Sequence, residues 1–378
     1  GRALPFCVGV EPMLIRRLQL QSFRRFAEAE LHPQPGFNLI TGDNGSGKTS
    51  LLEAVHLLAH GRSFRGRVRD GLIRREQPAL SVFAEWRAGT GSSHRAGLRH
   101  TGGDWEARLD GAAIGHLGEL CEALAVVTFE PGSHALVDGP SEGRRRYLDW
   151  GLFHVERAER GGDFLQHWRR HARALKQRNA LLRLHRADAQ LDAWEHELAQ
   201  AGEALTTQRE AHVARLQPYL DTMVAALLPA AGSGQLDLAP GWRRQELSLA
   251  DALLLARDRD LAQGHTSVGP HRADLRLTLR DLPGRDGLSR GQAKLAALAL
   301  LLAQAAYLAG QDGHWPVLQL DDLGAELDRH HQQRVLETLY ASGAQVLVTG
   351  TEPPPLLAQL DLPVARFHVE QGVVTRLD

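Results

Sequence analysis

The chain has 378 residues, a formal net charge of −1, 43% apolar residues and 24% charged ones. The length suits two or three domains with ample core, and the composition is that of a globular protein rather than a disordered or fibrous one. Two cysteines, Cys7 and Cys121, exclude a disulfide framework and point to a reducing, cytoplasmic setting, while the near-zero net charge leaves any polyanion binding to local patches.

The chain opens on Gly1, and strand-like alternation begins only at its first methionine, Met13. Residues 1–12 therefore read as an extension without a functional role, and no secretory signal is evident. Residues 13–41 predict strands. Gly42-Asp43-Asn44-Gly45-Ser46-Gly47-Lys48-Thr49 follows, and it fits the phosphate-binding P-loop pattern G-x-x-x-x-G-K-[ST] between a strand and a helix. Glycines there let backbone N–H groups turn inward, and the helix start adds the positive end of its dipole. Lys48 is placed to reach the β- and γ-phosphates of ATP, and the Thr49 hydroxyl to ligate Mg²⁺. Of the 44 Lys and Arg residues only Lys48, Lys176 and Lys294 are Lys. A chain so biased towards Arg keeps Lys where a compact ammonium fits and a planar guanidinium does not.

A helix is predicted over 48–59. Residues 80–109 alternate in short runs with Gly-rich breaks and predict an antiparallel meander, and residues 124–129 a buried strand. The proline-free stretch from Pro140 to Pro218 is rich in Ala, Leu, Arg, Gln and Glu at helical spacing and predicts two or three long helices. Residues 229–241 interrupt that pattern and 249–262 resume it. Strands return at 275–279, 316–320, 345–349 and 364–369. Leu295 to Ala309, the longest apolar run, is interrupted by Gln304, so it reads as a core helix and no membrane span is expected. The organisation expected is a discontinuous head, 13–145 with 265–378, and a mostly helical lobe, 146–264.

Asp321 and Asp322 end the apolar run Val317-Leu318-Gln319-Leu320, at the strand end where open α/β sheets bind ligands. Asp321 is placed to hold Mg²⁺, and Asp322 to orient an attacking water as a catalytic partner of Lys48. Ser289-Arg290-Gly291-Gln292 opens the apolar helix. Ser289 is a good N-cap, but Ser-x-Gly-Gln at a helix start also resembles the signature motif of ABC-type ATPases. Gly324 to Asp328 resembles the D-loop of that superfamily. In this order the motifs resemble an ABC-type head: an α/β fold with a mixed sheet, an antiparallel β region and a helical insertion. The resemblance implies that Ser289, Gly291 and Gln292 cap the γ-phosphate held by a second copy, which makes an ATP-dependent homodimer.

Several blocks resemble the RecF family of bacterial DNA replication and repair proteins more closely. They are Leu18 to Arg24, Leu51 to Ala54, Gly61 to Arg65, Val137 to Pro140 with Arg144 to Asp149, and Thr266 to Arg272. Membership implies a slow, switch-like ATPase that binds double-stranded or gapped DNA and works with RecO and RecR to load RecA. The chain departs from that family at Gly132-Ser133, where acids are usual. Thr349 stands where transporter-type ATPases carry a switch histidine, Asp322 where they carry glutamate, and Glu130 is the nearest candidate for the Gln-loop residue. These departures weigh against a transporter subunit, and the insertion is too short for a long tether, which leaves a compact structural clamp as the other reading. From Arg144 to Arg186 there are 12 Lys and Arg against 4 Asp and Glu, and six more Arg lie between Arg62 and Arg75. Such patches would neutralise phosphates without reading sequence, and Arg169, Arg170 and Arg173 are the DNA-contact candidates.

Overall fold

The computed structural model describes residues 11–68, 70–156, 162–359 and 363–377. Cys7 and all but the last two residues of the expected extension, 1–12, lie outside them. Two compact units are present. One comprises Gly1–His134, Ala225–Leu228 and Ser289–Asp378, the other Ala135–Val224 and Pro229–Leu288.

In the first unit, β1 (Leu14–Phe23) and β2 (Phe26–Leu31) form a hairpin, and β3 (Phe37–Thr41) leads into α1 (Lys48–His60). Next come β4 (Leu80–Arg87), β5 (Ser93–His100), β6 (Trp105–Leu109), β7 (Ala112–Ala113), α2 (Gly118–Ala123) and β8 (Val126–Phe129). One antiparallel sheet has the order β2-β1-β4-β5-β6-β7. Along β4 buried and half-buried positions alternate strictly, as expected for a sheet with one face on a core. This is the expected meander, extended by the hairpin.

After the second unit the chain returns as α8 (Arg290–Asp312), β11 (Val317–Leu320), α9 (Leu323–Glu326) and α10 (Arg329–Ser342). It ends with β12 (Val346–Gly350), α11 (Pro355–Gln359), β13 (Ala365–Glu370) and β14 (Val373–Leu377). The second sheet has the order β14-β13-β3-β12-β11-β8, with β13, β3, β12, β11 and β8 parallel. Strands β8, β11 and β12 are buried at every position, which is why they read as mainly apolar runs rather than alternating ones, with Thr128, Gln319 and Thr349 as buried polar residues. Gln345 ties the two sheets together within this unit, accepting from Ile15 N at 2.7 Å and donating to Ile15 O at 2.8 Å. Helix α8 is apolar and long enough to cross a membrane by length and composition, but 83% of its apolar window is buried in the protein. Leu298, Leu300, Leu302 and Leu308 are at most 2% exposed. Each such burial stabilises the fold by roughly 1.5–3 kcal/mol.

The second unit holds α3 (Ala135–Asp138), α4 (Ser141–Val155), α5 (Phe164–Arg183), all but the last three residues of α6 (Ala189–Leu227), β9 (Gly234–Ala239), α7 (Leu249–Gln263) and β10 (Asp274–Leu279). Pro218 sits inside α6 rather than ending it. Strand β10 pairs with β9 in this unit, and α4 is fastened to β10 by Arg144, which donates to Asp274 at 2.6 and 3.3 Å. The compact units divide at 134/135 and 288/289, beside the expected head–lobe divisions at 145/146 and 264/265. Arg178 of α5 is fully buried and bonds Asp260 Oδ2 at 2.7 Å and Glu195 Oε1 at 3.0 Å, joining three helices. Removing one partner of such a pair leaves an uncompensated buried charge, which typically costs about 3–5 kcal/mol.

Candidate nucleotide-binding site

The first unit gathers its polar side chains at the carboxyl ends of neighbouring parallel strands, in the sheet order β3, β12, β11, β8. The loop after β3 is Gly42 to Gly47, and α1 begins at Lys48. Gly47, the N-cap residue, has φ 115°, and a Cβ there would meet the Phe26 ring at 2.8 Å. A Cβ on Gly42 would meet Val369 O at 2.4 Å. Only glycine satisfies either place. The Lys48 ammonium, on a side chain 5% exposed, donates to Gly42 O at 2.6 Å. Ser46 Oγ is buried with no hydrogen-bond partner among the described residues.

Opposite the loop, Thr49 Oγ1 donates to the Asp321 carboxylate at 2.9 Å. Thr349, at the end of β12, donates to Asp321 Oδ1 at 2.7 Å and accepts from Asp322 N at 2.9 Å. That is the local work of the threonine at the expected switch position. Burial raises the Asp321 pKa, and the two threonine bonds counter the shift. Asp322 has left-handed backbone (φ 55°, ψ 44°) and lines the loop cavity without a side-chain capping bond. Such a conformation is uncommon outside glycine, and aspartate is among the residues that tolerate it best. Glu130, at the end of β8, is pushed up to about 7 by burial. Its carboxylate accepts from Gly132 N at 2.6 Å, and Ser133 Oγ accepts from Glu130 N at 2.9 Å, so the divergent Gly132-Ser133 loop closes on itself.

The cavity beside the loop measures about 620 Å³ and is lined by Asn44, Gly45, Gly47, Lys48, Thr49 and Asp322, together with Arg24, Arg25, Arg65 and Arg75. Asp43 is exposed and supplies the carbonyl that closes the turn onto Ser46 N at 3.0 Å. Ser289, Gly291 and Gln292 do not line the cavity. In a single chain they cap α8: Ser289 Oγ accepts from Gln292 N at 3.1 Å, and Gln292 Oε1 accepts from Ser289 N at 2.9 Å. Lys294 of α8 pairs with Glu326 of α9. In the helical unit Arg170 is held by Glu197 at 2.7 and 3.0 Å, and the Arg173 guanidinium lies 5.5 Å over the Trp194 ring, whereas Arg169 is exposed. Much of the basic excess is used internally. Arg144 and Arg178 are buried, and Arg146 and Arg186 pair with Glu142 and Asp188. Arg157 and Arg160 lie outside the described residues.

Sequence reasoning missed the side chains around Glu53, where Arg24, Ser63 and Arg65 converge. The available signal was a lone acid inside an apolar helical run, which is tolerated only when paired.

The RecF/RecN/SMC N terminal domain family model matches residues 14–375. The chain is 60% identical over 366 residues to the DNA replication and repair protein RecF of Stenotrophomonas maltophilia, covering 96% of this chain and 99% of that one. It belongs to the RecF family. RecF of Xanthomonas euvesicatoria is 59% identical over 368 residues, with 96% and 99% covered, and RecF of Shewanella baltica 38% over 367 residues, with 97% and 100% covered. A solved structure described as the recombination mediator protein RecF with ATP superposes with TM-score 0.84 at 24% identity, covering 98% of this chain and 99% of that one. The Smc head domain from Pyrococcus furiosus superposes with TM-score 0.58 at 16% identity, covering 97% and 96%. The fold is thus the ABC-type ATPase head shared by RecF and SMC proteins.

Proposed function

We propose that this RecF-family chain binds ATP with Mg²⁺ at the P-loop cavity, and that the nucleotide draws two copies together on DNA. The observation that carries this reading is the convergence of Lys48, Thr49 and Asp322 on one cavity of a volume suited to a nucleotide, with Asp321 hydrogen-bonded to Thr49 beside it. The chemistry of the donors fits the ligand. Loop amides and the start of α1 offer positive partial charge, Lys48 a point charge, and the unpartnered Ser46 hydroxyl a free donor. Thr49 and Asp321 supply one hydroxyl and one carboxylate, a donor set in keeping with Mg²⁺, which keeps most of its shell for water and phosphate. Bound there, Mg²⁺ would neutralise charge on the phosphates. Asp322, left-handed and uncapped, is free to accept a proton from, or orient, a water in the cavity.

The exposed start of α8, with Ser289 and Gly291, is the surface that would cap the nucleotide of a second copy. The relatives' role in DNA replication and repair supports a duplex or gapped DNA partner, with RecO, RecR and RecA as associates and the cytoplasm as the setting. Arg169, Arg173 and Lys176 share one exposed stripe of α5 and make no ion pair among the described residues, so they are the phosphate contacts to favour over Arg170. Light scattering of the purified 41.5 kDa chain with ATP–Mg²⁺, with and without duplex DNA, tests the reading. The expected outcome is a doubled mass with ATP; a chain that stays single at saturating nucleotide, with duplex present or absent, overturns it.

A further inference from the structure

Four arginines line the P-loop cavity, and they are held differently. Arg25 and Arg75 form no ion pair among the described residues, whereas Arg24 and Arg65 converge on one carboxylate. That carboxylate is Glu53 of α1. It is fully buried and lies four residues after Thr49, so the two side chains share a helix face. Arg24 grips it bidentately, Nε to Oε2 at 2.7 Å and Nη2 to Oε1 at 2.9 Å. Arg65 donates from Nε to Oε2 at 3.1 Å; its Nη2 bonds the same oxygen and also Ser50 Oγ at 3.1 Å. The Ser63 hydroxyl donates to Oε1.

These partners come from two separate segments. Arg24 sits in the β1–β2 turn, Ser63 and Arg65 in the loop after α1. Burial alone would raise the Glu53 pKa, but the bonds from Arg24, Arg65 and Ser63 outweigh it and hold the carboxyl below its usual range. One carboxylate offsets only one of two guanidiniums. The hub therefore stays cationic, and Lys48, Arg25 and Arg75 add to it around the cavity.

We propose that Glu53 is a positioning residue for nucleotide phosphates, acting through Arg24 and Arg65 to hold two guanidiniums at the cavity before a triphosphate enters. The inference rests on the P-loop reading. Without the anchor, each guanidinium would range over many rotamers, and the preorganisation that strengthens a charge-assisted contact would be lost.

A double-mutant cycle on the full chain separates positioning from mere support of the fold. ATP affinity is titrated for the wild type, Glu53→Gln, Arg65→Ala and the double variant. Each single change is expected to weaken binding about tenfold, the effect of losing roughly one charge-assisted bond. The double variant should bind no more weakly than the weaker single, because an unanchored Arg65 has already stopped contributing. Independent losses that multiply to about a hundredfold overturn the proposal, as does unchanged affinity in Glu53→Gln. Should Glu53→Gln fail to fold, Arg65→Lys decides the matter: it keeps the charge but loses the fork that Glu53 orients. Weakened binding supports positioning, and wild-type binding overturns it. Lys48→Ala, run alongside, tells two failures apart. If Lys48→Ala still binds ATP, the P-loop reading falls as well; if only Lys48→Ala loses binding, this inference alone falls.

Discussion

Lys48 is buried against the loop it serves, with its ammonium on Gly42 O. Lys48→Ala removes the ammonium that the loop encloses, and Lys48→Arg places a planar, longer group where a compact one fits. Both are expected to weaken ATP-driven association at least tenfold; sedimentation velocity with ATP would show wild-type dimers if the residue had no such role. Asp322 differs in kind. It makes no capping bond, so Asp322→Asn should leave nucleotide binding and association intact while slowing hydrolysis, by about 10²–10⁴-fold if it acts as a general base. A phosphate-release rate equal to the wild type would remove Asp322 from that role. The P-loop was legible because its spacing is fixed by glycine sterics and a helix start. Thr349 was visible only as a departure, and its bonds to Asp321 and Asp322 depend on β12 lying between β3 and β11, which no local pattern encodes. The pairing of Arg170, a DNA-contact candidate, with Glu197 was hidden for the same reason, since Glu197 is 27 residues away.

Among the elements, the apolar strands and α8 were readable because each is buried on nearly every side, so the runs are mainly apolar and broken only by single buried polar residues such as Thr128, Gln304 and Gln319. Strands β9 and β14 were not foreseen. The first lies in a stretch that reads as a break, and the second has mostly exposed positions. The place of β10 in the helical unit was equally hidden, because pairing with β9 is a tertiary fact. The start of α8 carries its own prediction. Ser289→Arg removes the capping hydroxyl, which costs about 1 kcal/mol of stability, and sets a bulky cation on the exposed first turn. ATP affinity of the isolated chain should change less than threefold, equivalent to under about 0.7 kcal/mol, whereas the dimer should be lost. Equilibrium nucleotide binding and light scattering on the same sample separate the two; a Ser289→Arg chain that still dimerises would show that this helix start does not meet a second copy.

For the whole molecule, DNA affinity is the property that composition hides, since the net charge is −1. Charge-driven binding leaves its mark on salt dependence. Neutralising Arg169, Arg173 and Lys176 together should flatten the slope of log affinity against log salt by up to about three units, roughly one for each phosphate no longer neutralised. Fluorescence anisotropy with a labelled duplex at several ionic strengths reads the slope, and an unmoved slope would clear α5 of the role. The ion pair of Lys294 with Glu326 has a wider consequence. It is nearly dry, with side chains 13% and 11% exposed. It therefore fastens the segment following the two aspartates to the first turns of α8. Within one chain, a nearly dry ion pair thus ties the segment after the pocket's aspartates to the helix start proposed to meet a second copy. If a second copy docks there as proposed, a pair holding a single triphosphate would be lopsided, its two faces no longer equivalent.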